Sequence, residues 1–342
     1  MPIILDMMGS DKYPEPEIQA VLVAAKELDD EIILVGDTQI YEQKIKQLGG
    51  GSLPISFVHA PDVIGMTDKP VEGTRQKPNN SMAIGIRLIK EGKGQAFVTA
   101  GNTGAAMFNA IRTLGRIEGV QRPALSAIFP TKTGRCIVLD IGANVDCRPE
   151  FLFQFAILGS IYAEKVLGKQ NPRVGLLSYG EEPGKGNQLV KDTFPLIEKS
   201  GLNFIGNVEG KELFGGEADV VVTDGFVGNV LVKSSEAVAK LITDVLKQEL
   251  MGSFTTKIGA LLAKPAFSKI KKLVDPSEVG AAPLLGIDGL VFVGHGRSDS
   301  RAIVSAIRLA QQTIKMDLLS ALKMGFKELS NNKRHTNENI FQ

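Results

Sequence analysis

Five short apolar runs in this chain end in glycine-rich turns that carry Asn, Asp, Lys or His: residues 99–104, 140–146, 178–187, 223–229 and 294–296. Turns of this composition let the backbone approach a ligand and present N–H groups to an anion. In Gly101-Asn102-Thr103-Gly104 a strand pattern gives way to a helix pattern. The first glycine permits the turn, Thr103 can cap the helix, and the freed N–H groups point to where an anion would sit. The run from Asp224 through Gly228 to Asn229 repeats that logic and adds an acid and an amide. Lys185, between Gly184 and Gly186 and just before Asn187, reads either as a phosphate ligand or as a solvated loop lysine. His295, between two glycines after an apolar run, is one of three histidines in the chain and reads either as a site residue or as a core or surface histidine. Since ligands of parallel sheets bind outside the carboxyl ends of the strands, these turns predict one crevice for an anionic, phosphate-bearing substrate.

Missing patterns narrow the chemistry. No G-x-G-x-x-G follows the first strand, no G-x-x-x-x-G-K-[ST] occurs, and no G-x-S-x-G elbow is present. Histidine and cysteine spacing supports no zinc site. Asp6, Asp140, Asp146 and Asp224 could hold Mg²⁺ or anchor loops; neither a metal nor a cofactor is expected. Cys147 follows the Asp140 turn and reads as packing or as a catalytic thiol, with no histidine near it in sequence. Two cysteines without framework spacing suggest a reducing compartment. A formal net charge of +1 gives no overall pull toward nucleic acid. No basic leader precedes the first apolar run, so secretion is not expected, and no apolar run is long enough for a membrane span.

The elements that must position these turns alternate along the chain. Strand patterns fall at 3–6, 32–35, 55–59, 96–100, 125–129, 137–141, 174–178, 204–205, 220–223 and 290–293, with helical patterns between them. This βαβ repetition predicts a single α/β domain over 1–330 with helices on both faces of the sheet. Residues 331–342 are polar and aperiodic and read as a disordered tail. Residues 251–273 break the pattern. Phe254, Ile258, Leu261 and Leu262 share one helical face, Pro265 interrupts, and Phe267, Ile270 and Leu273 resume it. Lys257, Lys264, Lys269, Lys271 and Lys272 lie between them with no acid. The segment predicts a protruding amphipathic helical hairpin, either packed in a subunit interface or touching an anionic membrane or acidic partner.

Several ordered segments carry a resemblance. They are Met8-Gly9 with Asp11, the run from Ala100 to Ala105, Arg122-Pro123-Ala124-Leu125, Leu139 to Asp146, and Gly180-Glu181-Glu182 with Lys185-Gly186-Asn187. Gly206 to Gly210, Asp219 to Phe226 with Gly228-Asn229-Val230, Ala282 to Gly286, and His295-Gly296 with Ser298 complete the set. Together they resemble the PlsX family of phosphate acyltransferases, which make acyl phosphate from acyl carrier protein thioesters. Ser10, Val227 and Ser178-Tyr179 depart from the family's usual residues, and none of these changes removes a charged or amide group invoked here.

The resemblance implies a Rossmann-like three-layer α/β/α sandwich related to phosphotransacetylases and to isocitrate and isopropylmalate dehydrogenases. It implies a cytosolic homodimer, with peripheral membrane association in some members. The product would feed a downstream glycerol-3-phosphate acyltransferase in bacterial phospholipid synthesis. Inorganic phosphate would attack the thioester carbonyl directly, releasing a thiol whose reference pKa of about 8.5 makes it a good leaving group. Lys185 and the N–H groups of Asn102, Thr103 and Gly104 would hold the phosphate. Asn229 and His295 would polarise the carbonyl or orient the phosphate, and Asp224 would position one of them. Gly9, Gly101, Asn144, Asp146, Gly186, Asn187 and Gly228 complete the expected substrate-binding set. The hairpin lysines would meet acyl carrier protein or anionic lipid, and Phe254, Leu261, Leu262 and Phe267 would line an acyl groove. A phosphotransacetylase using acyl-coenzyme A, a nicotinamide-dependent hydroxyacid dehydrogenase and a non-catalytic scaffold are the competing readings.

Overall fold

The computed structural model describes residues 2–28 and 30–338. The first part of the chain runs β1 (Ile3–Asp6), α1 (Glu15–Glu27), β2 (Ile32–Gly36), α2 (Thr38–Gln47), β3 (Ile55–His59), α3 (Pro70–Gln76), α4 (Ser81–Lys90), β4 (Ala96–Thr99) and α5 (Thr103–Thr113). There follow β5 (Ala124–Thr131), β6 (Gly134–Leu139), α6 (Pro149–Lys165), β7 (Val174–Leu177), α7 (Gln188–Glu198), β8 (Phe204–Val208), α8 (Gly210–Gly215), β9 (Val220–Val222) and α9 (Gly225–Met251). The last elements are α10 (Phe254–Leu262), α11 (Lys264–Val274), β10 (Ala281–Leu285), β11 (Leu290–Gly294), α12 (Ser300–Lys315) and α13 (Leu318–Glu338).

All eleven strands join one sheet in the order β3-β2-β1-β4-β11-β10-β5-β6-β9-β7-β8. The inner strands are buried on both faces, the edge strands β3 and β8 only in part, and alternate residues feed different cores. Ile3, Leu5, Ala96 and Val98 pack with α1 and α12, whereas Ile4, Phe97, Val291 and Val293 pack with α4 and α5. At the other end Ile137, Leu139, Val220 and Val222 face α6, while Cys136, Val138 and Val221 face α8 and Leu231 and Val232 of α9. A period of two with helices on both faces is the three-layer α/β/α sandwich the sequence pointed to.

The sheet is mixed rather than parallel. Strands β3, β2, β1, β4 and β11 run one way, β10 is antiparallel to β11 and to β5, and β5 is antiparallel to β6. Strands β6, β9, β7 and β8 are again mutually parallel, so the two parallel blocks run in opposite directions. The expected single crevice therefore divides into separate loop clusters. A short buried apolar run does not encode its direction, which is why the alternation read as one parallel sheet. Strand β10 escaped notice because Pro283 interrupts a run of small residues; Ser126 Oγ donates to the Pro283 carbonyl at 3.0 Å.

Two expectations near the C-terminus are revised or refined. Residues 331–338 continue α13 instead of forming a tail, and 339–342 lie outside the described residues. In the hairpin, Met251 closes α9, α10 and α11 make the two short helices, and Pro265 stands in the first turn of α11, where a missing N–H costs nothing. Phe254, Leu261 and Leu262 are 79%, 69% and 78% exposed.

Candidate functional site

The first loop cluster follows β1, β4 and β11. The chain leaves β1 toward β2 and β3 and returns to β4 on its other side, so the crevice between the loops after β1 and β4 is a topological switch point. Gly9 lies so close to the second loop that a Cβ on it would stand 2.9 Å from the nitrogens of Ala100 and Gly101. Thr99 Oγ1 donates to Asp6 Oδ2 at 2.7 Å and accepts from the Gly101 N–H at 3.0 Å. Burial pushes the Asp6 carboxyl above the usual carboxylate range, against the lowering effect of Thr99.

Asn102, not Thr103, caps α5. Its Oδ1 accepts from the Ala105 N–H at 3.0 Å, and its Nδ2 faces the carbonyls of Gly65, Met66 and Asp68 at 3.2, 3.3 and 3.1 Å. Thr103 is the first helical residue: the Asn102 amide caps with its oxygen and spans three loop carbonyls with its two N–H donors, where a hydroxyl has one. The Asn102 side chain is thereby spent. What remains for a ligand is backbone: the N–H groups of Asn102, Thr103 and Gly104 have no acceptor among the described residues. His295 stands beside this cluster at the end of β11, where the Asp11 N–H donates to the Gly296 carbonyl at 2.7 Å. Burial, and then the Arg297 guanidinium, hold the His295 imidazole below its ordinary value, so the ring is neutral near pH 7.

The second cluster follows β6 and β9. Asp140 Oδ1 accepts from the N–H groups of Leu125, Gly142 and Ala143 at 3.0, 3.2 and 3.1 Å. Its Oδ2 accepts from the Asn144 N–H at 2.6 Å and Asn144 Nδ2 at 2.9 Å. The first turn of α9 is seated on this loop. A Cβ on Gly228 would lie 1.8 Å from the Asp140 carbonyl oxygen, and Asn229 Nδ2 donates to the Ile141 carbonyl at 3.0 Å. Asp224 caps the helix, accepting from Phe226 and Val227 N–H at 3.0 and 2.9 Å. The Gly225 and Gly228 N–H groups are also taken, by Asn144 and Asp224 carbonyls. The N–H groups of the first four helical residues of α9 are thus all claimed, whereas those of Thr103 and Gly104 in α5 are not. Asp140 and Asp224 anchor loops. Asp146 is exposed, and the Cys147 thiol beside it is pushed up to about 12 by burial and then by Asp140, which suppresses a thiolate.

Lys185 lies in the loop after β7. Gly186 takes a φ of +102°, a conformation that requires glycine, and Asn187 caps α7 through the Val190 N–H at 3.0 Å. Lys185 is exposed and forms no ion pair among the described residues. Ser178 Oγ and Asn207 Oδ1 are buried around this loop without a partner, while Asn207 Nδ2 donates to the Glu182 carbonyl at 2.8 Å. These two side chains were given no role from sequence, since orphaned polar atoms appear only once the loop is folded.

Strand spacing decides what these clusters can do together. Strand β7 lies six positions from β4, roughly 29 Å along the sheet, and β9 lies four positions from β11, roughly 19 Å. Lys185 and the Asn102–Gly104 N–H groups are therefore not brought onto one phosphate within a chain. Helix α9 is the bridge. Asn229 begins its contact with the second cluster, and Glu236, seven residues on, pairs with Arg297 of the first at 2.9 Å. Asn229, Lys233 and Glu236 recur at helical spacing on one face, a signal available in the sequence but not used.

Among the described residues no helix is long and apolar enough to cross a membrane. Comparison with known proteins agrees with the fold. The chain superposes on a phosphotransacetylase from Streptococcus pyogenes with a TM-score of 0.60 at 17% identity, covering 92% of this chain and 94% of that one. A branched-chain phosphotransacylase from Enterococcus faecalis matches with a TM-score of 0.58 at 14% identity, covering 92% and 99%. A family model described as fatty acid synthesis protein matches residues 1–321. The phosphate acyltransferase of Acidobacterium capsulatum is 49% identical over 91% of this chain and 92% of its own length. That of Elusimicrobium minutum is 47% identical over 96% of each. On a family model spanning nearly the whole fold and relatives this similar over their full length, the chain belongs to the PlsX family of phosphate acyltransferases.

Proposed function

We propose that this enzyme transfers a long-chain acyl group from acyl carrier protein to inorganic phosphate, giving acyl phosphate and the free carrier thiol. A phosphate oxygen attacks the thioester carbonyl, the tetrahedral oxyanion collapses, and the carbon–sulfur bond breaks to release the thiolate, which takes a proton from solvent. The observation that carries the reading is the row of three unclaimed N–H groups at the start of α5, beside His295 at the switch point. These donors hold the phosphate and His295 orients it. Asn229, seated on the Ile141 carbonyl at the root of the bridging helix, positions the donor, with Asp224 fixing the turn that carries it. Lys185 is too far to share that phosphate and serves the donor side, where an unpaired cation favours an anionic carrier.

The same proposal covers assembly and place. Val238, Leu241, Ile242 and Val245 form an exposed apolar stripe on α9, which fits the interface of a homodimer. The hairpin presents exposed Lys257, Lys264, Lys269 and Lys272 around Leu261 and Leu262, which fits peripheral contact with an anionic membrane from the cytoplasmic side. The acyl phosphate would pass to a glycerol-3-phosphate acyltransferase.

Purified protein incubated with long-chain acyl carrier protein and labelled phosphate should yield hydroxylamine-trappable acyl phosphate. Lys185→Ala should raise the KM for the carrier more than that for phosphate. Turnover only with acyl-coenzyme A would reassign the donor, and silence with both would end the proposal.

A further inference from the structure

A cleft of about 720 Å³ opens beside the second cluster, lined by Ile111, Arg116, Gln121, Arg122, Pro123, Asp146, Cys147, Arg148 and Phe151. Three arginines converge on it against a single acid, and none of the three forms an ion pair among the described residues. Two are held by neutral partners. The Arg122 guanidinium lies 5.9 Å from the Phe151 ring centroid, and Arg116 donates to the Gln121 carbonyl. Arg116, Arg122 and Arg148 are all exposed, and these contacts leave their charge uncancelled. Like charges gathered at one concavity repel, and such a grouping favours an anion with several acceptor oxygens, for which the planar guanidinium fork is suited. Ile111, Pro123 and Phe151 give the cleft an apolar wall.

The cleft is joined to the loop that roots α9. Asn144 Nδ2 donates both to the Pro123 carbonyl at 2.8 Å and to Asp140 Oδ2 at 2.9 Å, and the Asp140 loop is the seat of Asn229. We propose that Arg116, Arg122 and Arg148 bind a phosphoryl group, and that its source is the phosphodiester at the base of the donor's pantetheine arm. This assignment of the source rests on the acyl transfer reading above. The arginines would anchor the arm's charged end while the thioester reaches along α9 toward the phosphate at α5. The step is binding only, and no bond changes in the cleft.

Steady-state kinetics of Arg122→Ala and Arg148→Ala should show the KM for acyl carrier protein raised on the order of tenfold or more, with the KM for inorganic phosphate unmoved. Arg122→Lys should recover part of the loss, and Arg87→Gln, an exposed α4 change away from the cleft, should leave both constants alone. A second arm uses binding alone: ³¹P line broadening of 4′-phosphopantetheine by the wild-type protein should disappear in the double variant, with thermal midpoints checked to exclude unfolding. A rise in the phosphate KM instead of the donor KM would make the cleft an acceptor site and overturn the assigned source. Unchanged kinetics with unchanged broadening would overturn the cleft itself. If no acyl phosphate forms from any donor but the variants still abolish broadening, the phosphoryl cleft stands and the acyl transfer reading falls.

Discussion

Replacing Thr103 by proline removes one of the three unclaimed N–H groups while leaving the helix its geometry. Thr103 is the first residue of α5, a position where proline is tolerated because its missing N–H has no partner within the helix. The preceding Asn102 already has φ −59° and ψ 110°, on the extended side that a following proline demands. The cap from Asn102 Oδ1 to the Ala105 N–H at 3.0 Å does not involve the changed nitrogen. Stability should therefore stay within about 0.5 kcal/mol of wild type. A hydrogen bond from that N–H to a phosphate oxygen is charge-assisted and contributes about 1.5–3 kcal/mol. Its loss should raise the KM for phosphate roughly tenfold to a hundredfold, with the donor KM unchanged. Thr103→Ala, which keeps the N–H and loses the hydroxyl, should stay near wild type. The assay is initial-rate trapping of acyl phosphate across a phosphate titration. A folded Thr103→Pro enzyme with wild-type affinity for phosphate would refute the placement of the anion at α5.

Other consequences follow from the same contacts. Gly228→Ala sets propensity, which favours alanine by about 1 kcal/mol, against a Cβ 1.8 Å from a carbonyl oxygen. Packing should win: the helix must retreat about 1.2 Å to reach a 3.0 Å contact, breaking the Asn229–Ile141 bond. The net loss should be about 3 kcal/mol, or about 4 °C in Tm, in thermal melts, with reduced turnover. His295, lowered by burial and then by Arg297, binds protons less readily folded than unfolded, so its contribution to stability is present above 6.5 and lost as pH falls through the folded value. His295→Gln should flatten that acid limb in pH-dependent denaturation. Glu17 has the opposite sign: burial raises it from 4.5 to about 7, so its contribution is present below 4.5 and lost as pH rises through 7. Glu17→Gln should narrow the stability gap between pH 5 and pH 8. Leu241→Asp, on the apolar stripe, should shift sedimentation toward the monomer if α9 forms the dimer interface.

The sequence made the layers legible because apolar runs of four to five residues alternating with amphipathic stretches leave little choice but strands covered on both faces. It placed β1 and β3 to the residue. Strand direction was not legible, since nothing in the apolar run 137–139 says that it opposes 125–129, and the turn residues Lys132 and Thr133 are not the Asn-Gly or Asp-Gly that mark a hairpin. At the candidate site, residue types pointed to the right turns but not to the uses of their atoms. The Asn102 side chain brackets α5 to the 65–68 loop, which leaves its N–H rather than its amide for a ligand. Asp224-Gly225 looked like an anion cradle, and the N–H groups from Gly225 to Gly228 are claimed locally. Such assignments depend on which acceptors fold within reach, which only the tertiary structure decides. Arg297 and Glu236 lie 61 positions apart in the chain, and no local pattern pairs them.

Helix α9 has a mechanical consequence. It behaves as a beam held at two supports, the Asp140 loop at its root and the Arg297 clamp at Glu236. Beyond the second support it overhangs by 15 residues, roughly 22 Å, before the hairpin begins. A load on such an overhang is not absorbed where it is applied; it is carried back into both supports at once. Whatever the hairpin touches therefore pulls on the loop that seats Asn229 and on the strand end that carries His295 together. Cutting the clamp with Glu236→Gln would leave the beam hinged at its root alone.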